Sequence, residues 1–148
     1  MDVLQQLVHN QILMSTVIAW VLAQLIKVVL TLIFQRKLDL VRLFGSGGMP
    51  SSHSASVTCA ATMAGLLNGF DSAIFGIATV IALVVMYDAA GVRRAAGKQA
   101  KLLNELIENY YAEHYINEKK LKELLGHTPV EVVAGSMLGI AIAIAYYY

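Results

Sequence analysis

Charge is scarce in this 148-residue chain: Asp, Glu, Lys and Arg together make up 14% of it, against about 25% in a typical soluble domain. The few charges nearly cancel, leaving a formal net charge of +1, so the basic surface of a nucleic-acid binder is absent. Cysteine is scarcer still. A lone Cys59 excludes an internal disulfide framework and a four-cysteine zinc site. Internal repeats and low-complexity runs are also missing. What fills the chain is apolar: 57% of residues are hydrophobic and the mean hydropathy is +0.62. A small integral membrane protein is the class that these numbers leave.

The charges that exist are unevenly placed. Val3–Ile26, Leu43–Phe70, Ser72–Tyr87 and Val132–Tyr148 contain none. A membrane-crossing helix needs about 20 mostly apolar residues, and the pattern predicts spans at about 11–34, 52–67, 72–90 and 131–148, the third short enough to require snorkelling or local thinning. Trp20 and the Tyr146-Tyr147-Tyr148 end are candidate interfacial anchors, Trp20 alternatively facing a neighbouring helix. The first span lacks the basic start and small-residue cleavage site of a signal peptide and is expected to stay in the protein.

Ten of the eleven basic residues fall in two loops, Arg36, Lys37 and Arg42 in the first, and Arg93, Arg94, Lys98, Lys101, Lys119, Lys120 and Lys122 in the second. The positive-inside rule puts both loops in the cytoplasm and both termini outside. The remaining cation, Lys27, lies within span one, where a charge costs about 2.5–3.5 kcal/mol at the helix centre. It is expected to snorkel towards the cytoplasmic end or to have a partner, an anionic ligand among the candidates. Between spans three and four, Leu102, Leu103, Leu106, Ile107 and Tyr110 recur at helical spacing, with Lys101, Glu105 and Glu108 off the stripe. This is an amphipathic helix at the membrane surface or packed on the bundle. A second short helix is expected from Asn117 to Leu125, closed by Gly126. The expected fold is all-α: one integral membrane bundle over 1–148 with about four spans and a cytoplasmic amphipathic helical hairpin inserted at 93–125.

Two helix starts carry a histidine each. In Gly45-Ser46-Gly47-Gly48-Met49-Pro50-Ser51-Ser52-His53-Ser54, glycines free the backbone to approach a ligand and Ser51 or Ser52 can cap the following helix. Free N–H groups at such a start favour an anion such as phosphate, though a plain capped loop would look the same. In Gly126-His127-Thr128-Pro129-Val130-Glu131, Thr128 as N-cap, Pro129 at the first helical position and Glu131 at the third form a capping box, and Glu131 need do nothing more. By the topology above, both starts share the cytoplasmic face with Lys27, Arg36, Arg93 and Arg94.

These residues resemble the type-2 phosphatidic acid phosphatases, relatives of bacterial acid phosphatases and vanadium haloperoxidases, and in particular a divergent branch of that superfamily. Pro50-Ser51-Ser52-His53 is similar to the family's Pro-Ser-Gly-His motif, with Ser52 where glycine is usual. Gly126-His127 through Gly135 is similar to its last motif, with Glu131 in place of the aspartate four residues after the histidine. Lys27 matches the lysine of the first motif, while Arg36 stands nine residues on rather than seven and no proline follows. The family's Ser-Arg ahead of the last histidine is missing, and Arg93 or Arg94 is its counterpart if 93–125 splits the motif.

The resemblance implies a membrane phosphatase that hydrolyses a lipid phosphate monoester or a prenyl (di)phosphate without metal or other cofactor. His127 would be the nucleophile that forms a phosphohistidine, Glu131 its orienting carboxylate and His53 the acid and then the base. Lys27, Arg36, Ser51, Ser52, Arg93 and Arg94 would bind phosphate, with Asp88 placed to orient Arg93. Partners would be the substrate and membrane lipids, with a homo-oligomer possible and no nucleic acid. Three alternatives stay open: a non-catalytic binder of anionic lipid or assembly factor, a two-histidine, one-carboxylate metal site of His53, His127 and Glu131, and vanadate-dependent halide oxidation.

Overall fold

The computed structural model describes residues 2–36, 48–110 and 126–148, except the side chains of 34, 35 and 108–110. Every regular element in it is helical: α1 (Val3–His9), α2 (Gln11–Gln35), α3 (Ser52–Asn68), α4 (Ala73–Ala90), α5 (Val92–Tyr110) and α6 (Pro129–Tyr147). Side chains start most of them. Asn10, Ser51, Ser72 and Thr128 each accept a backbone N–H in the first turn of the helix that follows. Asp2 and Gln5 close a capping box on α1, a short helix for which the charge pattern gave no signal.

Three segments are long and apolar enough to cross a membrane: Gln11–Ile33 in α2, Ala73–Ile107, whose apolar part is α4, and Pro129–Tyr147 in α6. The fourth expected span is α3. Its 17 residues reach about 25 Å, and it is rich in serine, threonine and alanine rather than large aliphatics. Its position explains the composition. The helix packs against α2, α4 and α6, while α2 and α4 make no contact with each other among the described residues. A central helix meets little lipid, and small side chains let its neighbours approach closely.

Two glycines of α6 show how close that approach is. A Cβ at Gly135 would overlap the carbonyl oxygen of Ser51, and one at Gly139 would overlap that of Ala55 and the Thr58 hydroxyl. Thr58 also bonds across, donating to the Ser136 carbonyl at 3.1 Å. Below this contact the apolar core is Ala19, Cys59, Met63 and Ala143, bordered by Ile12, Leu66 and Ile142. Large aliphatic residues of α2, α4 and α6 point outward instead, the arrangement lipid requires. Trp20, in the first half of α2, is likewise exposed, so it does not pack against a neighbouring helix of the bundle. The expected amphipathic helix is α5. Its companion at 117–125 lies outside the described residues.

Candidate functional site

Four helices contribute to one end of the bundle. The C-terminal half of α2 supplies Lys27, the loop into α3 supplies Gly48 and Ser51, the end of α4 supplies Ala89, and the start of α6 supplies His127 and Glu131. Backbone contacts fix them to one another. Ser51 donates its N–H to the Glu131 carbonyl at 3.0 Å, and His127 donates its N–H to the Ala89 carbonyl at 2.9 Å. Gly48, at φ 87°, leaves room for the Lys27 side chain, whose Cγ would lie 3.3 Å from a Cβ there. Gly126, at φ 90°, lies directly on the backbone of Arg93 and Arg94 with no space for any side chain.

His127 is the most constrained of these groups. It is 2% exposed. Its Nδ1 lies 3.2 Å from Glu131 Oε2, and the same oxygen accepts the Thr128 N–H at 2.9 Å. Glu131 therefore completes the capping box and orients the imidazole together, because the first helical turn places its carboxylate over both groups. A carboxylate acceptor at Nδ1 fixes the proton there and leaves the lone pair on Nε2. That Nε2 is buried and has no hydrogen-bond partner among the described residues. Burial is the main cause that holds the His127 pKa below its ordinary value, the Glu131 hydrogen bond and charge oppose it, and the positive charges of Lys27 and Arg93 push the same way as burial. These effects together favour the neutral imidazole near pH 7.

His53 sits in the first turn of α3, its ring centroid 5.9 Å from that of His127 and inclined at 62°. The charged groups whose fields reach it are Arg93, His127 when protonated, Lys27 and Asp88. Lys27 is 1% exposed and donates to Gln24 Oε1 at 2.8 Å. Arg93 is held by Asp88 through Nε at 2.7 Å, and both side chains are partly solvated. Ser51 is buried, and its hydroxyl accepts from the N–H and hydroxyl of Ser54 at 3.3 and 3.1 Å. Its own proton remains to be donated. Ser52 is also buried at this end.

The structure thus gathers His53, His127, Glu131, Lys27, Ser51, Ser52 and Arg93 at one end of the bundle, with the Arg94 backbone beneath Gly126 and its side chain exposed. Arg36 stands apart. It ends α2 in a left-handed conformation at φ 51°, exposed and about 13 Å of helix beyond Lys27, and no described interaction joins it to either imidazole. Among the described residues no three His, Cys, Asp or Glu side chains gather as a metal-ligand set. His127 Nδ1 and the Thr128 N–H both engage the Glu131 carboxylate, which takes it from the ligand trio considered above. The motif reading did not include Gln24, Gly48, Gly135 or Gly139 in their roles. The small-x-x-x-small spacing of Gly135 and Gly139 was a visible signal of close helix packing, whereas Gln24 and Gly48 offered none.

Comparison with known proteins agrees with this architecture. No solved structure matches the chain. The membrane protein YuiD of Bacillus subtilis (strain 168) is 41% identical over 158 residues, an alignment that covers 97% of this chain and 99% of YuiD. The family model described as "Divergent PAP2 family" matches residues 8–142, both histidine motifs included. With nearly its whole length accounted for, the chain is a membrane protein that belongs to the divergent PAP2 family.

Proposed function

We propose that this protein is a metal-independent phosphatase of a lipid phosphate monoester or prenyl (di)phosphate, working through a phosphohistidine on His127. The observation that carries the reading is the state of that imidazole: buried, neutral, its Nδ1 committed to Glu131 and its Nε2 bare beside His53. In the first step Nε2 attacks phosphorus in line and the bond to the ester oxygen breaks. Protonated His53 gives its proton to the departing oxygen, which leaves as the alcohol of a monoester or as the monophosphate of a prenyl diphosphate. In the second step neutral His53 takes a proton from water, the hydroxide attacks phosphorus, and the P–N bond breaks to release inorganic phosphate and neutral His127.

Lys27, Arg93 and Arg94 balance the phosphoryl oxygens, and Ser51 and Ser52 add hydrogen bonds. Phosphoryl transfer depends chiefly on positioning and charge neutralisation, which this set supplies. Arg36 serves at most the approach of the anion. The charge pattern of the sequence supports a site on the cytoplasmic face by the positive-inside rule, and the segment 93–125 is read as an insertion in a single membrane domain. The decisive experiment is phosphate release from a panel of lipid and prenyl phosphates by purified protein, with and without chelator. Turnover that persists with chelator, falls with vanadate and disappears in His127→Ala is expected. Full activity in His127→Ala would overturn the assignment.

One observation favours a non-catalytic reading. Lys27 already donates to Gln24 and Arg93 to Asp88, which leaves less of their charge to meet the charge that develops on a phosphoryl group in transfer. Binding across the same panel without release of phosphate would favour it.

A further inference from the structure

Helix α5 presents an apolar stripe that the described protein leaves uncovered. Leu102, Leu103, Leu106 and Ile107 are all exposed, Leu106 to 56%. At 3.6 residues per turn these four fall on one side of the helix. The residues that α5 buries are different and small or polar: Gly97, Ala100 and Asn104, about a third of a turn away. The third side holds Lys98, Lys101 and Glu105, where Lys101 and Glu105 form a solvated pair at 3.7 Å. One helix thus has a protein side, a water side and a side made for neither.

Its position says what the last side meets. α5 begins directly after Gly91, which ends the apolar helix α4, so it starts where a membrane-crossing helix leaves the bilayer. Six charged residues over 92–110 make it too polar to cross. A strongly amphipathic helix of low overall hydropathy belongs in the interface, its apolar face at the boundary between headgroups and acyl chains. Four of its charges are basic (Arg93, Arg94, Lys98 and Lys101) and crowd its first half, complementary to anionic headgroups.

We propose that α5 is an interfacial helix that beds Leu102, Leu103, Leu106 and Ile107 in the surface of the protein's own membrane, at the end that carries the two histidines, and that it prefers anionic lipid. The contact has a structural consequence. Gly126 lies on the backbone of Arg93 and Arg94, so anchoring the later turns of α5 steadies the helix whose first turn supports the His127 loop. Neither the proposal nor its test depends on catalysis.

The test uses the full chain in lipid nanodiscs of phosphatidylcholine, with or without phosphatidylglycerol. Nitroxide labels are placed at Leu103→Cys, Leu106→Cys, Lys101→Cys and Glu105→Cys, with the wild-type chain, whose Cys59 is buried, as the blank. Collisions with oxygen, which concentrates in lipid, are compared with collisions with a water-soluble nickel reagent. Labels at 103 and 106 should favour oxygen and those at 101 and 105 nickel, and phosphatidylglycerol should widen the contrast at 106 at least twofold. Should the Leu106 variant fail to fold, Leu102→Cys reads the same stripe. A stripe as open to nickel as position 101 would overturn the proposal, and so would one shielded from both reagents, which would mean a protein cover such as a second copy. A contrast indifferent to phosphatidylglycerol would overturn the anionic preference.

Discussion

Replacing Glu131 by glutamine separates the two tasks of that side chain. Oxygen Oε2 serves the Thr128 N–H and the His127 ring together. Glutamine keeps a carbonyl oxygen that can complete a capping box, so the start of α6 should survive. It loses the charge that favours the proton on Nδ1, and its amide can instead donate to Nδ1, which moves the proton to Nε2 and removes the nucleophilic lone pair. A hydrogen bond to a charged group contributes about 1.5–3 kcal/mol, which at about 1.36 kcal/mol per tenfold corresponds to a rate loss of about 10- to 160-fold. The full change of tautomer in a serine protease triad costs about 10⁴, an upper bound here. Glu131→Ala should lose the same turnover and about 1 kcal/mol of stability besides, because the cap goes too. The assay is phosphate release per folded molecule beside a thermal melt in the same detergent. Glu131→Gln should leave the melt unchanged and lower kcat, and wild-type turnover in that variant would refute the role given to the carboxylate.

Other consequences can be checked with the same two measurements. Because the His127 pKa lies below its usual 6.5, the acid limb of kcat/KM, which reports loss of the neutral nucleophile, should appear only below that pH, with His53 as the general acid setting the other limb. Stability should fall over the same range, since the unfolded chain takes up this proton first while folded His127 resists it. Lys27→Met removes a buried charge while keeping the volume, so the melt should stay or rise, while phosphate turnover drops by about tenfold or more, as expected from a lost charged contact of about 1.5 kcal/mol or more. Gly135→Ala must push α6 off the Ser51 carbonyl. It should cost about 1–3 kcal/mol, the usual range for overpacking, with loss of turnover although residue 135 touches no reacting group.

The bundle was readable because lipid imposes a simple rule. Charge gaps placed α2, α4 and α6 within a few residues, since a charged side chain in hydrocarbon costs more than most local preferences can offset. The same cost singled out Lys27 as a residue in need of company, and it is fully enclosed. The capping residues Ser51 and Thr128 were equally legible, because a cap is a local bargain between one side chain and the next turn. Contacts between distant segments were not. Nothing near Gly48 in the chain announces Lys27, and only the family resemblance, no pattern near Gly126, linked Arg93 to the His127 motif. Arg36 shows a different limit: a basic residue at the expected end of the helix can be exposed and apart from both imidazoles, because charge and order along the chain do not fix direction. For α5 the pattern named the stripe but not what it faces, and the buried edge at Gly97, Ala100 and Asn104 is one that hydrophobic periodicity does not select.

The two imidazoles are held in register by one residue more than by any other. Through its carboxylate Glu131 holds the His127 ring, and through its own carbonyl it accepts the Ser51 N–H that opens the helix of His53. The distance between the two imidazoles is therefore set where α3 meets α6, and one and two turns further along the same contact is kept tight by Gly135 and Gly139 against Ser51 and Ala55. A small shift at either glycine tilts α3 against α6 and is felt at His53, although His53 touches neither glycine. In a bundle whose helices have little hydrophobic reason to prefer one another over lipid, the same small-residue seam that holds the fold together also sets how the two histidines face each other.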